Sequence, residues 1–192
     1  MSEINKLDEL PPDLPVPLDD GACTHLLGAR LPRLGLPSTT GEVTDLAAVP
    51  GRLVLFFYPR TGRPGLAPLI PNWNEIPGAR GCTPQTTAFR DLHDDFTQNR
   101  CRLYGISAQA TDYQQELVGR LRLPFPILSD HQLALTHAMS LPTFEAAGQI
   151  LLKRMAWVVD NGKIVKVFYP VFPPDANATE VLAWVRTHPF VE

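Results

Sequence analysis

A chain of 192 residues with 44% hydrophobic residues and a net charge of −3 has the length for one domain with a continuous core and the balance of an ordinary soluble globular protein. Its 17 basic and 20 acidic residues are interspersed, which excludes a basic footprint for nucleic acid or anionic lipid. No apolar run approaches the ~20 residues of a membrane span.

The opening "MSEINKLDELPPDLP" has neither the basic start nor the apolar centre of a signal peptide, so the expected address is the cytoplasm. In that reducing compartment three cysteines are expected as free thiols or catalytic groups instead of a disulfide set. Residues 1–20 are proline-rich and polar and read as an extended arm. Residues 21–192 read as a single domain without internal repeats. "RLVLFFY" (Arg52 to Tyr58), apolar almost throughout and ended by Pro59, reads as a strand buried on both faces of a parallel sheet. Next comes "RTGRPGLAPLIPNWNEIPGARG" (Arg60 to Gly81), a Pro/Gly-rich insertion of a length that is usually functional or disordered. A helix from Pro84 to Gln98 places Ala88, Phe89, Leu92 and Phe96 on one face. "CRLYGIS" (Cys101 to Ser107) is a second strand, and Thr111 to Leu121 and Asp130 to Ser140 are further helices. Strands "MAWVVD" and "KIVKVFYPV" flank Asn161-Gly162, the dipeptide most favoured in a tight hairpin. A last helix spans Thr179 to Thr187. The sum is an α/β protein with a mixed central sheet flanked by helices.

Cys82 stands out. It follows the long loop and precedes Thr83-Pro84, and proline is favoured in the first turn of a helix because its missing N–H is not needed there. The sulfur is thus expected at a helix N-terminus, beside unpaired backbone N–H groups and the positive end of the dipole, a setting that favours thiolate over thiol. Thiolate is the nucleophile. The competing reading is a buried, inert cysteine, against which stand the small or polar neighbours Arg80, Gly81, Thr83 and Gln85.

The ordered set "LFFYPR", "GCTPQTTAFRD", "YGISAQATDYQQELVGRLRLPFPILSD" and "LKRMAWVVDNGKIVKVF" resembles peroxiredoxins of the alkyl hydroperoxide reductase/thiol-specific antioxidant family, of the bacterioferritin-comigratory, or Q, type, over roughly Leu31 to Val185. The resemblance implies a thioredoxin-like fold and a peroxidase needing no metal or organic cofactor. One cysteine thiolate attacks a hydroperoxide and becomes a sulfenic acid. Carried over by position, Cys82 matches the peroxidatic cysteine and Arg154 the arginine that pairs with thiolate and peroxide. Pro59 matches the proline that shields the pocket, and Gln85 the polar residue that buttresses the arginine.

Two positions depart from the pattern. The family's threonine three residues before the cysteine is here Ala79. Thr61, close after Pro59, is an alternative source of that hydroxyl if the long loop folds out of the way; otherwise it is a turn residue. The resolving cysteine that many Q-type relatives carry five positions after the first is here Thr87. A helix from Pro84 to Gln98 would set Cys101 over ~20 Å from Cys82, beyond the ~7 Å Cα separation a disulfide allows, so Cys101 reads as a buried strand residue. Cys23 is left open between resolver and inert thiol. The default is a one-cysteine peroxidase for hydrogen peroxide and small organic hydroperoxides, regenerated by a thioredoxin-like protein or a low-molecular-weight thiol, as monomer or homodimer. The rival is a non-catalytic redox sensor or partner-binding protein on the same scaffold. The five histidines show no metal-ligand spacing. Tyr113-Gln114-Gln115 reads as a solvated helix face, "HAMSLPTF" as a packed connection or pocket lining, and "KVFYPVFPPD" as a border of the active site or of a partner surface.

Overall fold

The computed structural model describes residues 7–191; the first six residues of the expected arm lie outside them. In chain order the strands are β1 (Gly35–Pro37), β2 (Val43–Asp45), β3 (Arg52–Phe57), β4 (Cys101–Ser107), β5 (Ile127–Ser129), β6 (Thr143–Ala146), β7 (Gln149–Leu152), β8 (Met155–Asp160) and β9 (Lys163–Phe168). The helices are α1 (Cys82–Asp91), α2 (His93–Gln98), α3 (Thr111–Leu121), α4 (Ala134–Ala138) and α5 (Asn177–Thr187).

Five strands form the central sheet in the order β5-β4-β3-β8-β9. The apolar run of β3 lies at its centre, buried at every residue, paired in parallel with β4 and antiparallel with β8. The β8–β9 turn carries Asn161 and Gly162 at φ 46° and 77°, the two positive values that a twist-matched two-residue hairpin demands.

Alternation along the strands sorts the core into two faces. Val54, Phe56, Tyr58, Ala156 and Val158 meet Phe89 of α1, Phe96 of α2, Leu117 of α3 and Val181 and Leu182 of α5. Leu53, Leu55, Phe57, Met155 and Trp157 meet Leu135 of α4 and the segment from Cys23 to Leu46. Phe56 stacks on Phe89 with centroids 4.3 Å apart and planes within 9°. Gly105 in β4 is required here: a Cβ would come within 2.7 Å of Phe56 Cζ and 2.4 Å of Ile127 Cδ1.

Several details differ from the sequence expectations. The helix expected over Pro84 to Gln98 is two, broken at Leu92 (φ −99°, ψ 8°), and the break keeps Phe96 against Phe89 at 5.7 Å. The helix expected from Asp130 to Ser140 shrinks to α4, because the buried Asp130 carboxylate is committed to the backbone N–H groups of Leu135 and Thr136 at 3.0 and 2.8 Å and so caps the helix from outside it. Gln114 is fully buried, donating to Ser107 Oγ at 2.9 Å and to Leu128 O at 3.0 Å. Of Tyr113-Gln114-Gln115, Gln115 is exposed and Tyr113 half-buried.

The long insertion is ordered on a small core of its own. Trp73, Ala79, Ala146 and Leu151 are buried together, with Leu69, Ile76 and Phe144 packed around them, so the loop rests on the β6–β7 hairpin. Truncating the shared ring contact tests the helical layer. Phe89→Ala is expected to cost about 3–5 kcal/mol, read as a lower urea midpoint at unchanged slope.

Candidate active site

The edge of the sheet that carries the site follows from strand direction. The C-terminal ends of β3 and β4 and the start of β8 coincide, since Phe57 pairs with both Ile106 and Met155. Beyond β3 come Pro59 and Thr61, beyond β4 comes Gln109, and immediately before β8 stands Arg154.

Cys82 is the first residue of α1 and is 3% exposed. Gly81 precedes it at φ 104°, where a side chain would be strained. A Cβ there would also strike Pro174 at 2.6 Å and Leu10 at 2.8 Å. The buried Arg154 guanidinium faces the sulfur: one terminal nitrogen donates to Gln85 Oε1 at 2.5 Å. The other lies 3.3 Å from Cys82 Sγ and 3.1 Å from each of the Gly78, Ala79 and Arg80 carbonyl oxygens. Gln85 in turn donates its amide to Asn177 Oδ1 at 2.9 Å, at the start of α5. A continuous polar chain therefore runs Asn177–Gln85–Arg154–Cys82.

Thr61 and Cys82 line one cavity of about 110 Å³, together with Trp73, Arg80 and Tyr113. The Thr61 hydroxyl donates to Gln109 Oε1 at 3.2 Å and its backbone N–H to the same oxygen at 3.0 Å. Gln109 Nε2 returns a bond to Thr61 O at 3.2 Å. The insertion itself lines this cavity, and Thr61 sits on its wall, 1% exposed. Pro59 is buried and is not among the residues lining this cavity. Ala79 is also buried and offers Arg154 its carbonyl. Burial lowers the Arg80 pKa from its ordinary value, with Cys82 opposing that shift.

Asn177 and Gln109 are the site residues that the sequence reading missed. Asn177 lies outside every quoted motif, and Gln109 sits in "YGISAQ", whose position after a parallel strand was the available signal.

The other two cysteines are kept away. Cys23 packs in the opposite face of the sheet, its sulfur 3.7 Å from Met155 Sδ. Cys101 pairs with Arg52 at the far end of β3, roughly 16 Å of strand from the site edge. All three thiols are free.

Comparison with known proteins settles the family. The Redoxin family model matches residues 26–182. The chain belongs to the Redoxin family. The crystal structure of peroxidoxin BcpB from Mycobacterium tuberculosis superposes with a TM-score of 0.67 at 29% identity, over 84% of this chain and 97% of that one. Peroxiredoxin Q of Xanthomonas campestris gives 0.66 at 22% identity, over 92% and 99%, a likeness of fold. Chloroplastic peroxiredoxin Q of Sedum lineare is 27% identical over 162 residues, covering 83% of this chain and 77% of its own. The thioredoxin-like fold and the Q-type resemblance expected from sequence therefore hold, and the enzyme class these relatives support is a thiol-dependent peroxidase. Among the described residues of this redoxin, no helix is long and apolar enough to cross a membrane.

Burial pushes the thiols of Cys23 and Cys101 up to about 12, well above the ~8.5 of a free cysteine. In Cys82→Ser protein, neither is expected to alkylate at pH 8 until urea unfolds the chain. Free-thiol labelling rates in the native state would contradict their placement. A raised thiol pKa stabilises the fold fully below ~8.5, and that contribution fades as pH climbs toward about 12. Denaturant midpoints are therefore expected to fall through that alkaline window.

Proposed function

We propose that this redoxin reduces hydrogen peroxide and small organic hydroperoxides at Cys82 by a one-cysteine mechanism. The observation that carries this reading is the Arg154 guanidinium 3.3 Å from the sulfur of Cys82 at the opening of α1. The Cys82 thiolate attacks one peroxide oxygen. The S–O bond forms as the O–O bond breaks, and the departing alkoxide or hydroxide takes a proton to leave as alcohol or water. Cys82 is left as a sulfenic acid. Arg154 stabilises the negative charge as it passes from sulfur to the leaving oxygen, and its fork is held for this by Gln85 and the three loop carbonyls. Thr61 supplies the hydroxyl that orients the peroxide in place of the one missing at Ala79, supported by its position on the cavity wall and its fixing by Gln109. Pro59, buried two residues before Thr61, is the residue assigned to shielding the sulfur from water.

Reduction of the sulfenic acid falls to an external thiol, either a thioredoxin-like protein or a small molecule. The buried positions of Cys23, on the opposite face of the sheet, and of Cys101, at the far end of β3, support this. Three free thiols also support a reducing, cytoplasmic compartment. Residues 21–192 form the catalytic domain in this reading and residues 1–20 its arm, whose described part, residues 7–20, is laid over the domain: Arg80 donates to Glu9 O, and Lys153 and Tyr169 both bond Asp20.

The decisive measurement is the rate of Cys82 oxidation by hydrogen peroxide in stopped flow. Fast oxidation, turnover with added thiol and complete loss in Cys82→Ser are expected. Arg154→Gln is expected to slow the step by about 10²–10³ and Thr61→Val by about tenfold. Slow, stoichiometric oxidation of the unaltered protein would instead favour the redox-sensor alternative.

A further inference from the structure

A second concavity opens beside the Cys82 cavity. It encloses about 650 Å³, and its walls include Arg60, Arg63, Asp112, Tyr113, His131 and Gln149. Arg60 and Tyr113 also line the Cys82 cavity, so the two spaces share a wall. The Tyr113 ring has the guanidinium carbons of both arginines over it, Arg60 at 4.9 Å and Arg63 at 4.0 Å from the centroid. Stacking of this kind fixes a guanidinium in place while leaving its N–H edges available. Arg60 reaches the neutral Gln149 Oε1 at 3.3 Å. Neither arginine pairs with a carboxylate among the described residues. Arg63 is half-buried, its Nε covered and without a hydrogen-bond partner among the described residues. Asp112 is the one acidic residue among those walls, so two fixed positive charges face one negative.

Resting on the proposed one-cysteine mechanism, we propose that this cleft binds the carboxylates of a low-molecular-weight thiol, of about tripeptide size, that reduces the Cys82 sulfenic acid. The electrons for that step must come from outside, since Cys23 and Cys101 are buried away from the site. The 110 Å³ cavity over Cys82 has room for a peroxide or for the thiol end of a larger molecule. The 650 Å³ cleft next to it holds the remainder. With its carboxylates on Arg60 and Arg63, the bound thiolate attacks the sulfur of Cys82–SOH. A disulfide bond forms, the S–O bond breaks, and hydroxide leaves as water after taking a proton. A second molecule of the same thiol attacks the mixed disulfide and releases Cys82 as thiolate together with the oxidised thiol dimer. The sum is one sulfenic acid and two thiols giving one thiol, one disulfide and one water.

The test uses glutathione, a tripeptide thiol with two carboxylates, against 2-mercaptoethanol, which has none, and cysteamine, which is cationic. In the full-length protein Arg63→Glu is expected to lower kcat/KM for glutathione by about tenfold or more. The same variant should raise the value for cysteamine and change that for 2-mercaptoethanol by less than about twofold. A gain with cysteamine cannot come from misfolding. Binding is read separately, with S-methylglutathione titrated into reduced protein by calorimetry or NMR; it should perturb Tyr113 and Arg63 in the unaltered protein and bind more weakly to the variant. This arm is independent of peroxidase chemistry, so its failure and the failure of Cys82 to react with peroxide are distinct results. Equal losses with all three thiols overturn the proposal. So does turnover with thioredoxin that the variant leaves unchanged while glutathione is inactive in both. A variant that slows Cys82 oxidation by a carboxylated hydroperoxide, and not by its methyl ester, while sparing glutathione, reassigns the cleft to the peroxide and also overturns it.

Discussion

The site depends on one buried cation. Arg154 is 3% exposed, and a guanidinium withdrawn from water is tolerable only where its donors are engaged. Here its two terminal nitrogens meet three consecutive loop carbonyls, an amide oxygen and the sulfur of Cys82, while Nε has no hydrogen-bond partner among the described residues. The dependence is mutual. Residues 78–80 have no strand or helix to satisfy their carbonyls, and Arg154 supplies that donor, so the arginine shapes the turn that delivers Cys82 to the start of α1. A lysine in its place would bring the charge without the planar fork that spans Gln85 and the loop together.

Mixed strand direction is what makes such a cluster possible. Parallel β3 and β4 end at one edge of the sheet, and antiparallel β8 begins there. Three chain segments far apart in sequence therefore meet with side chains free of ladder bonding. Polar satisfaction is then passed outward: Asn177 holds Gln85, which holds Arg154, and Gln109 holds Thr61 from both its N–H and its carbonyl. Each functional group is kept in place by a second residue that does not itself face the sulfur.

The long insertion and the N-terminal arm give the site its walls. Trp73 anchors the insertion on the β6–β7 hairpin through its own apolar cluster. The arm packs closely enough that a Cβ at Gly62 would lie 2.9 Å from Leu7 and one at Gly81 2.8 Å from Leu10. The segment after β9 closes the same side, with Pro174 against Gly81 and Tyr169 bonded to Asp20, so "KVFYPVFPPD" borders the active site. Arg60, at the start of that insertion, stacks on Tyr113 at the shared wall of the two cavities, and Arg63 lies over the same ring.

Cys82 before a Thr-Pro helix start, the apolar run of β3 and the Asn161-Gly162 turn were legible because each is a local signal. Steric preference, burial periodicity and turn geometry act within a few residues. The three- and four-residue strands β1, β2, β6 and β7 were not, being too short to show a period of two, and the break at Leu92 left the apolar spacing of its helix intact. That Gln114 is buried and Tyr113 half-buried depends on β5 and on the insertion, which no window around α3 contains. The resemblance pointed to Arg154 and Gln85. Their distances to Cys82, the recruitment of Asn177 and Gln109, and the separation of Cys23 and Cys101 from the site are properties of the packed sheet. The physical reason is range: local sequence fixes which backbone states and faces are favoured, whereas partners for a buried charge come from segments that only the folded topology brings together.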